Sequence, residues 1–274
     1  RRTLDRLEGE GLVVRNVARG TRTVGLAHES VREAVRHRYE DSLDETRLDL
    51  ADRIDELDGA DASFIMLRAR LLDDASEGLE AADALEEAAA ALFSMGQPQL
   101  GAQVQERLIR RLRRFGRTHA LPRLLRAELS LLDNAAGAID DPRQEAAHWE
   151  AGILIAELLG DHRAQALFWL GLADRYTSNL EDMSVGQSRL ENAAEAARVA
   201  QDRALELRIA NRRAEILFAA GDIEKADQFS ETAMELVEMA DASIADKCHI
   251  IGVRLRCLSL AGRIDEARKL HENS

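Results

Sequence analysis

The sequence predicts an all-α chain, a right-handed α-α superhelix of paired helices, preceded by a short helix and a small β-hairpin. Three observations carry this. Apolar residues recur three and four apart over most of the 274 residues, and only three prolines interrupt them. Helix-turn-helix junctions of one kind recur, clearest at Gly221-Asp222-Ile223-Glu224-Lys225-Ala226 and Gly262-Arg263-Ile264-Asp265-Glu266-Ala267. Their spacing, about 41 residues, is that of a stacked helical repeat.

The first forty residues differ from the rest. Thr3 to Glu10 reads as the end of a helix, with Leu4 and Leu7 on one face, stopped by Gly11. Leu12 to Val17 is an apolar strand, Ala18 to Arg22 a turn containing Gly20, and Thr23 to Ala27 a returning strand. Leu26 to Val35 then opens another helix. Helix, strand, turn and strand make the back half of a winged helix, assigned to residues 1–42. Residues 43–274 are assigned to the helical repeats.

In the array, Ser42-Leu43-Asp44-Glu45 suggests a capping box for a helix over 43–57. A second helix starts at Asp61 or Ser63, a third runs from Glu77 to Phe93, and a fourth enters at Pro98 and runs to Phe115. Four pairs follow: 118–133 with 142–159, 162–178 with 183–200, 202–219 with 222–239, and 243–260 with a short helix from Ile264. In the Gly221 turn, glycine can adopt the left-handed conformation that ends one helix while Asp222 caps the next. Ala193 and Ala233 fall at equivalent second-helix positions, where a tight crossing needs a small side chain.

Two families resemble parts of this sequence. Leu4-Asp5-Arg6-Leu7-Glu8-Gly9-Glu10-Gly11-Leu12-Val13 resembles the recognition helix and wing of MarR-like repressors, in which Arg15, Arg19 and Arg22 would reach DNA phosphates. Ala27-His28-Glu29, Arg32-Glu33-Ala34-Val35 and Arg47-Leu48-Asp49-Leu50-Ala51 occur in the order found in signal-transduction ATPases with numerous domains (STAND proteins). That group includes maltose-activator-like regulators and ATPases of bacterial serine/threonine kinases. There a winged helix follows the ATPase and tetratricopeptide-like repeats follow the winged helix. Order and spacing favour the second family. The repeats resemble tetratricopeptide repeats at the Gly-Asp-x-x-x-Ala turn and less elsewhere, and HEAT-like pairs are a neighbouring form.

The STAND resemblance implies that His28 faces nucleotide phosphates in a parent ATPase; otherwise it is a junction residue that caps or packs. No Gly-x-x-x-x-Gly-Lys-Ser/Thr loop is present, so ATP hydrolysis is not expected. The chain opens within a helical pattern and without an initiator Met, as expected of a piece of a larger protein.

The tetratricopeptide resemblance implies that first helices line the concave surface. Mapped here, that surface holds Arg208, Asn211 and Glu215, with Phe168 and Arg175 one repeat before and His249 and Arg256 one repeat after. Asparagine can bond a peptide backbone and arginine can pair a carboxylate. The alternative is that these are solvated polar positions.

Other signals are weaker. A net charge of −13 argues against a general nucleic-acid binder. Arg107, Arg110, Arg111, Arg113, Arg114 and Arg117 form a cluster that suits either phosphate or a solvated outer face. Cys248 and Cys257 stand about 13 Å apart along one helix, too far for a disulfide, and read as reduced core residues of a cytoplasmic protein. The seven histidines do not group, and no cofactor or metal motif occurs. The sequence therefore predicts a non-catalytic interaction or sensor arm of a bacterial regulator, with a protein or peptide partner. The alternative is a winged-helix DNA-binding regulator with a helical sensing or dimerisation domain.

Overall fold

The structure, a computed structural model, describes residues 2–10, 12–18, 21–26, 28–38, 42–56, 61–75, 79–115, 120–135, 138–139, 141–178, 182–239 and 242–272. Fourteen helices and one two-stranded sheet occur among the described residues. The chain forms two compact units, Arg1–Ala91 and Leu92–Ser274.

The first unit begins with α1 (Arg2–Gly9), β1 (Val13–Ala18), β2 (Thr21–Leu26) and α2 (Glu29–Arg38). The strands are antiparallel, with Arg15 opposite Val24 and Arg22 opposite Val17. Helices α3 (Leu43–Asp55), α4 (Ala62–Ala75) and most of α5 (Leu79–Ser94) follow. Ser42 precedes α3 but makes no side-chain capping bond. Its backbone is not extended (φ −115°, ψ 4°), so the hydroxyl cannot reach the first free amides, and the expected capping box is absent. Asp61 caps α4 instead, accepting from the Ser63 and Phe64 amides at 2.8 and 3.2 Å. The alanine-rich α5 buries Ala81, Ala82, Ala84, Leu85, Ala88 and Ala89.

The second unit contains α6 (Pro98–Phe115), α7 (Leu121–Asn134), α8 (Pro142–Leu159), α9 (His162–Ser178), α10 (Met183–Ala200), α11 (Arg203–Ala219), α12 (Ile223–Met239), α13 (Ile244–Leu260) and α14 (Ile264–Glu272). Each packs on the next, and α9, α11 and α13 also touch one another in turn.

One turn chemistry repeats along this unit. The Asp222 amide donates to the Leu217 carbonyl at 2.9 Å and closes α11, while Gly221 sits at φ 82°. The Asp222 carboxylate accepts from the Lys225 amide at 3.3 Å and opens α12. A single residue therefore satisfies orphan groups of two helices. Asp161 does the same after Gly160, and Asp202 after Gln201. Arg263 follows Gly262 with the same backbone bond, to Leu258. Asp141, Asp182 and Ser243 cap α8, α10 and α13.

The core is aliphatic and rich in alanine. One cluster joins α9, α10 and α11 through Leu170, Leu190, Ala193, Leu205 and Ile209. A second joins α11, α12 and α13 through Leu207, Ala233, Leu236 and Ile250. Ala193 and Ala233 are fully buried, as a close crossing requires. Glycines serve the same end. A Cβ on Gly152 would fall 2.1 Å from the Phe168 ring, and one on Gly171 would fall 2.2 Å from the Trp149 ring. Those two rings meet edge to face at 5.9 Å. Cys257 is buried and Cys248 is exposed, so only one of the two cysteines is a core residue.

Candidate functional site

Helix α11 is the centre of the site. It buries Leu205, Leu207, Ile209, Ala210, Ala214, Ile216 and Leu217. That leaves Arg208, Asn211, Arg212 and Glu215 at the i, i+3, i+4, i+7 spacing of a single stripe. The flanking helices α9 and α13 present polar groups to this stripe. Arg212 donates to Asp174 of α9 at 2.5 Å and to Glu215 at 3.1 Å. Glu215 pairs with His249 of α13 at 2.6 Å. The chain Asp174–Arg212–Glu215–His249 thus ties three successive repeats together. Burial works against the Arg212 charge, but Asp174 and Glu215 outweigh it and push its pKa up.

Two cavities flank the stripe. The first, about 410 Å³, lies against α7, α8, α9 and α11; Leu129, Leu132, Trp149, Leu167 and Leu170 supply its apolar surface, with Asp133, Asp174, Arg175 and Arg212 among the polar groups. The second, about 310 Å³, lies between α11 and α13 and is lined by Leu207, Asn211, Ala242, Asp246, His249 and Ile250 among others. Arg208 lines both. It is exposed and has no acidic partner among the described residues. The Asn211 Oδ1 is shielded from solvent and accepts no hydrogen bond.

The residues expected from the sequence divide as follows. Arg175 and Arg208 meet in the first cavity; Arg208, Asn211 and His249 meet in the second, with Glu215 bonded to His249. Phe168 does not join them. It is fully buried against Gly152 and Trp149, because its position on α9 faces α8. Arg256 lines neither cavity; its guanidinium stands 5.5 Å from the Phe218 ring centroid. Arg175 is engaged by Glu145 at 2.6 Å. Burial pushes the Glu145 carboxyl up despite that arginine.

Sequence reasoning missed Arg212, Asp174 and Trp149. Arg212 was legible as the i+4 neighbour of Arg208. Trp149 belongs to a second helix, outside the set of first helices from which the expected surface was drawn.

Elsewhere, His28 is exposed just before α2, and its carbonyl accepts from the Val31 amide at 3.1 Å. Arg15 and Arg22 lie on the hairpin strands, and Arg19 is outside the described residues. In the arginine cluster, Arg113 reaches the fully buried Glu128 at 2.6 Å, and Glu128 also meets His148 at 2.8 Å. Arg110 and Arg114 are exposed, and Arg117 is outside the described residues. No group of three potential metal ligands and no helix long and apolar enough to cross a membrane occurs among the described residues.

No family model matches the sequence, and no curated protein matches it. Solved structures do match. The chain is similar to a STAND protein with a tetratricopeptide repeat sensor from Pyrococcus horikoshii, with TM-score 0.61, 14% identity and 89% of this chain covered. The match spans 37% of that longer protein. It is also similar to aspartyl phosphate phosphatase F from Bacillus subtilis, with TM-score 0.57, 12% identity, and 87% and 63% of the two chains covered. A third is a Podospora anserina kinesin-light-chain protein of nearly identical TPR-like repeats, with TM-score 0.55, 18% identity, and 72% and 94% covered. At these identities the likeness is one of fold. The array is tetratricopeptide-like.

Proposed function

We propose that this chain is a non-catalytic interaction or sensor segment of a larger cytoplasmic regulator, and that it holds a peptide or protein segment along the face of α9, α11 and α13. One observation carries the reading: a polar stripe runs between two adjoining cavities, and Asn211 lines the second of them beside Arg208. An asparagine carboxamide at the lip of a groove can hydrogen-bond the backbone of a segment lying in it. The neighbour that carries a tetratricopeptide repeat sensor beside an ATPase supports a sensory setting. Residues 1–42 are read as the end of a winged helix, because helix, hairpin and helix follow in that order. His28, exposed at the start of α2, is then a phosphate-facing residue only in a parent ATPase. Signalling would be a shift in population: a segment bound on this face favours one arrangement of arm and ATPase.

The test is peptide selection on the whole chain, followed by Asn211→Ala. Selected peptides should bind the variant roughly tenfold more weakly. The helical content and melting temperature should stay unchanged. Binding that is indifferent to Asn211 removes the reading.

A further inference from the structure

Resting on that groove, we propose that the segment it takes carries a carboxylate side chain between two bulky apolar side chains about four residues apart. The charges around the groove make the choice. Three arginines line the first cavity. Arg175 is neutralised by Glu145 at 2.6 Å, and Arg212 by Asp174 at 2.5 Å and Glu215 at 3.1 Å. Arg208 alone of the three has no acidic partner among the described residues, and it stands where the two cavities adjoin. An exposed guanidinium with five free donors is a carboxylate receptor, and a bidentate pair also fixes orientation.

On either side of Arg208 the surface is concave, and each cavity has an apolar part. A cavity of about 150 Å³ is enough to take a benzene ring. Spaces of about 410 and 310 Å³ therefore each accept a leucine, methionine or aromatic side chain. The first offers Leu129, Leu132, Trp149, Leu167 and Leu170; the second offers Leu207, Ala242 and Ile250. They lie in adjacent grooves of side-by-side helices, on the order of 10 Å apart. An extended chain rises about 3.3 Å per residue and turns successive side chains to opposite faces, so the two anchors and the carboxylate between them fall on alternate residues, the anchors about four apart. Asn211 beside Arg208 meets the backbone between them.

The same geometry rejects a uniformly acidic segment. Asp133 lines the first cavity and Asp246 the second, so carboxylates beyond the central position would meet like charge. The chain's net charge of −13 adds to that penalty.

The probe is a display library of random twelve-residue peptides, panned on the whole chain at low salt. Enriched sequences should share Asp or Glu flanked by Leu, Met, Phe or Trp. A synthetic peptide from that set should lose at least tenfold in affinity against Arg208→Ala. Amidation of its carboxylate should cause the same loss in the unmodified chain and little further loss in the variant. Arg208→Glu should bind a peptide with Lys at the central position better than the unmodified chain does. Arg208 is exposed, and alanine suits a helix, so the variant keeps the fold. Peptides that need Asn211 but bind Arg208→Ala undiminished would overturn this inference and leave the groove standing. Peptides indifferent to both residues, or no enrichment at all, would overturn the groove and this inference together.

Discussion

The ring of Phe168 occupies the space into which a side chain at Gly152 would project, with Cε1 2.1 Å from the site of a Cβ. The contact joins α8 to α9, and Trp149 repeats it in the other direction against Gly171. Aromatic rings enter the helix interface only because each faces a residue without a side chain. Gly152→Ala and Gly171→Ala should each destabilise the protein by about 1–3 kcal/mol through overpacking, despite alanine's better helix propensity. Urea denaturation followed by circular dichroism measures this, and a gain in stability would contradict the packing.

Gln201 takes the left-handed position that glycine holds at Gly160, Gly221 and Gly262, with φ 54°. A side chain pays roughly 1 kcal/mol or more for that backbone. Gln201→Gly should raise stability by several tenths of a kcal/mol to about 1 kcal/mol, and Gly221→Ala should lower it by about 1 kcal/mol. Melting temperatures of the two variants should move in opposite directions.

Arg212 joins α9 to α11 through Asp174, both partly exposed. A double-mutant cycle with Arg212→Ala and Asp174→Ala should give a coupling of about 1 kcal/mol, above the usual surface pair because Arg212 also holds Glu215. Coupling near zero would mean that this ion pair adds nothing to the joining of the two repeats.

The capping carboxylates set the acid limit. Hydrogen bonds from the Val185 amide and Ser184 hold Asp182 below the ordinary carboxylate range, and the Lys225 side chain and amide do so for Asp222. At Asp202 burial pushes upward, but the Leu205 amide and Arg163 outweigh it. Groups depressed in the fold contribute stability above the unfolded value of about 3.9 and lose it as pH falls through the folded value. Glu145, raised by burial, has the opposite sign and favours the fold as it takes up its proton. Melting temperature should therefore fall steeply only below about pH 4. Asp182→Asn keeps the cap acceptor without the titration, and its acid limb should be shallower.

Burial also raises the Cys257 thiol, while Cys248 is exposed on the same helix. A maleimide should label Cys248 in the native protein and Cys257 only after unfolding, as read by peptide mass mapping. Equal labelling at both sites would contradict the packing of α13.

The helices of the second unit were legible because their signals are local. An aspartate that ends one helix with its amide and starts the next with its carboxylate leaves a mark at Asp161, Asp202 and Asp222. The stripe on α11 was partly legible for the same reason, since 3.6 residues per turn align Arg208, Asn211 and Glu215. Periodicity did not reveal that Phe168 is turned into the core, because a first helix of this array has apolar neighbours on more than one side. It also did not separate Cys248 from Cys257.

By itself the sequence determined the succession of helices, their length and the turns between them, since capping, left-handed glycines and apolar spacing act within a few residues. Only the tertiary structure decided which polar groups meet. Asp174 lies 38 residues from Arg212, and Glu215 lies 34 from His249. Stacking of successive repeats brings such residues to contact, and the same stacking neutralises Arg175 and Arg212 while leaving Arg208 unpaired among the described residues. Charge that is balanced across repeats cannot be read from any one helix, because each partner belongs to a different turn of the array.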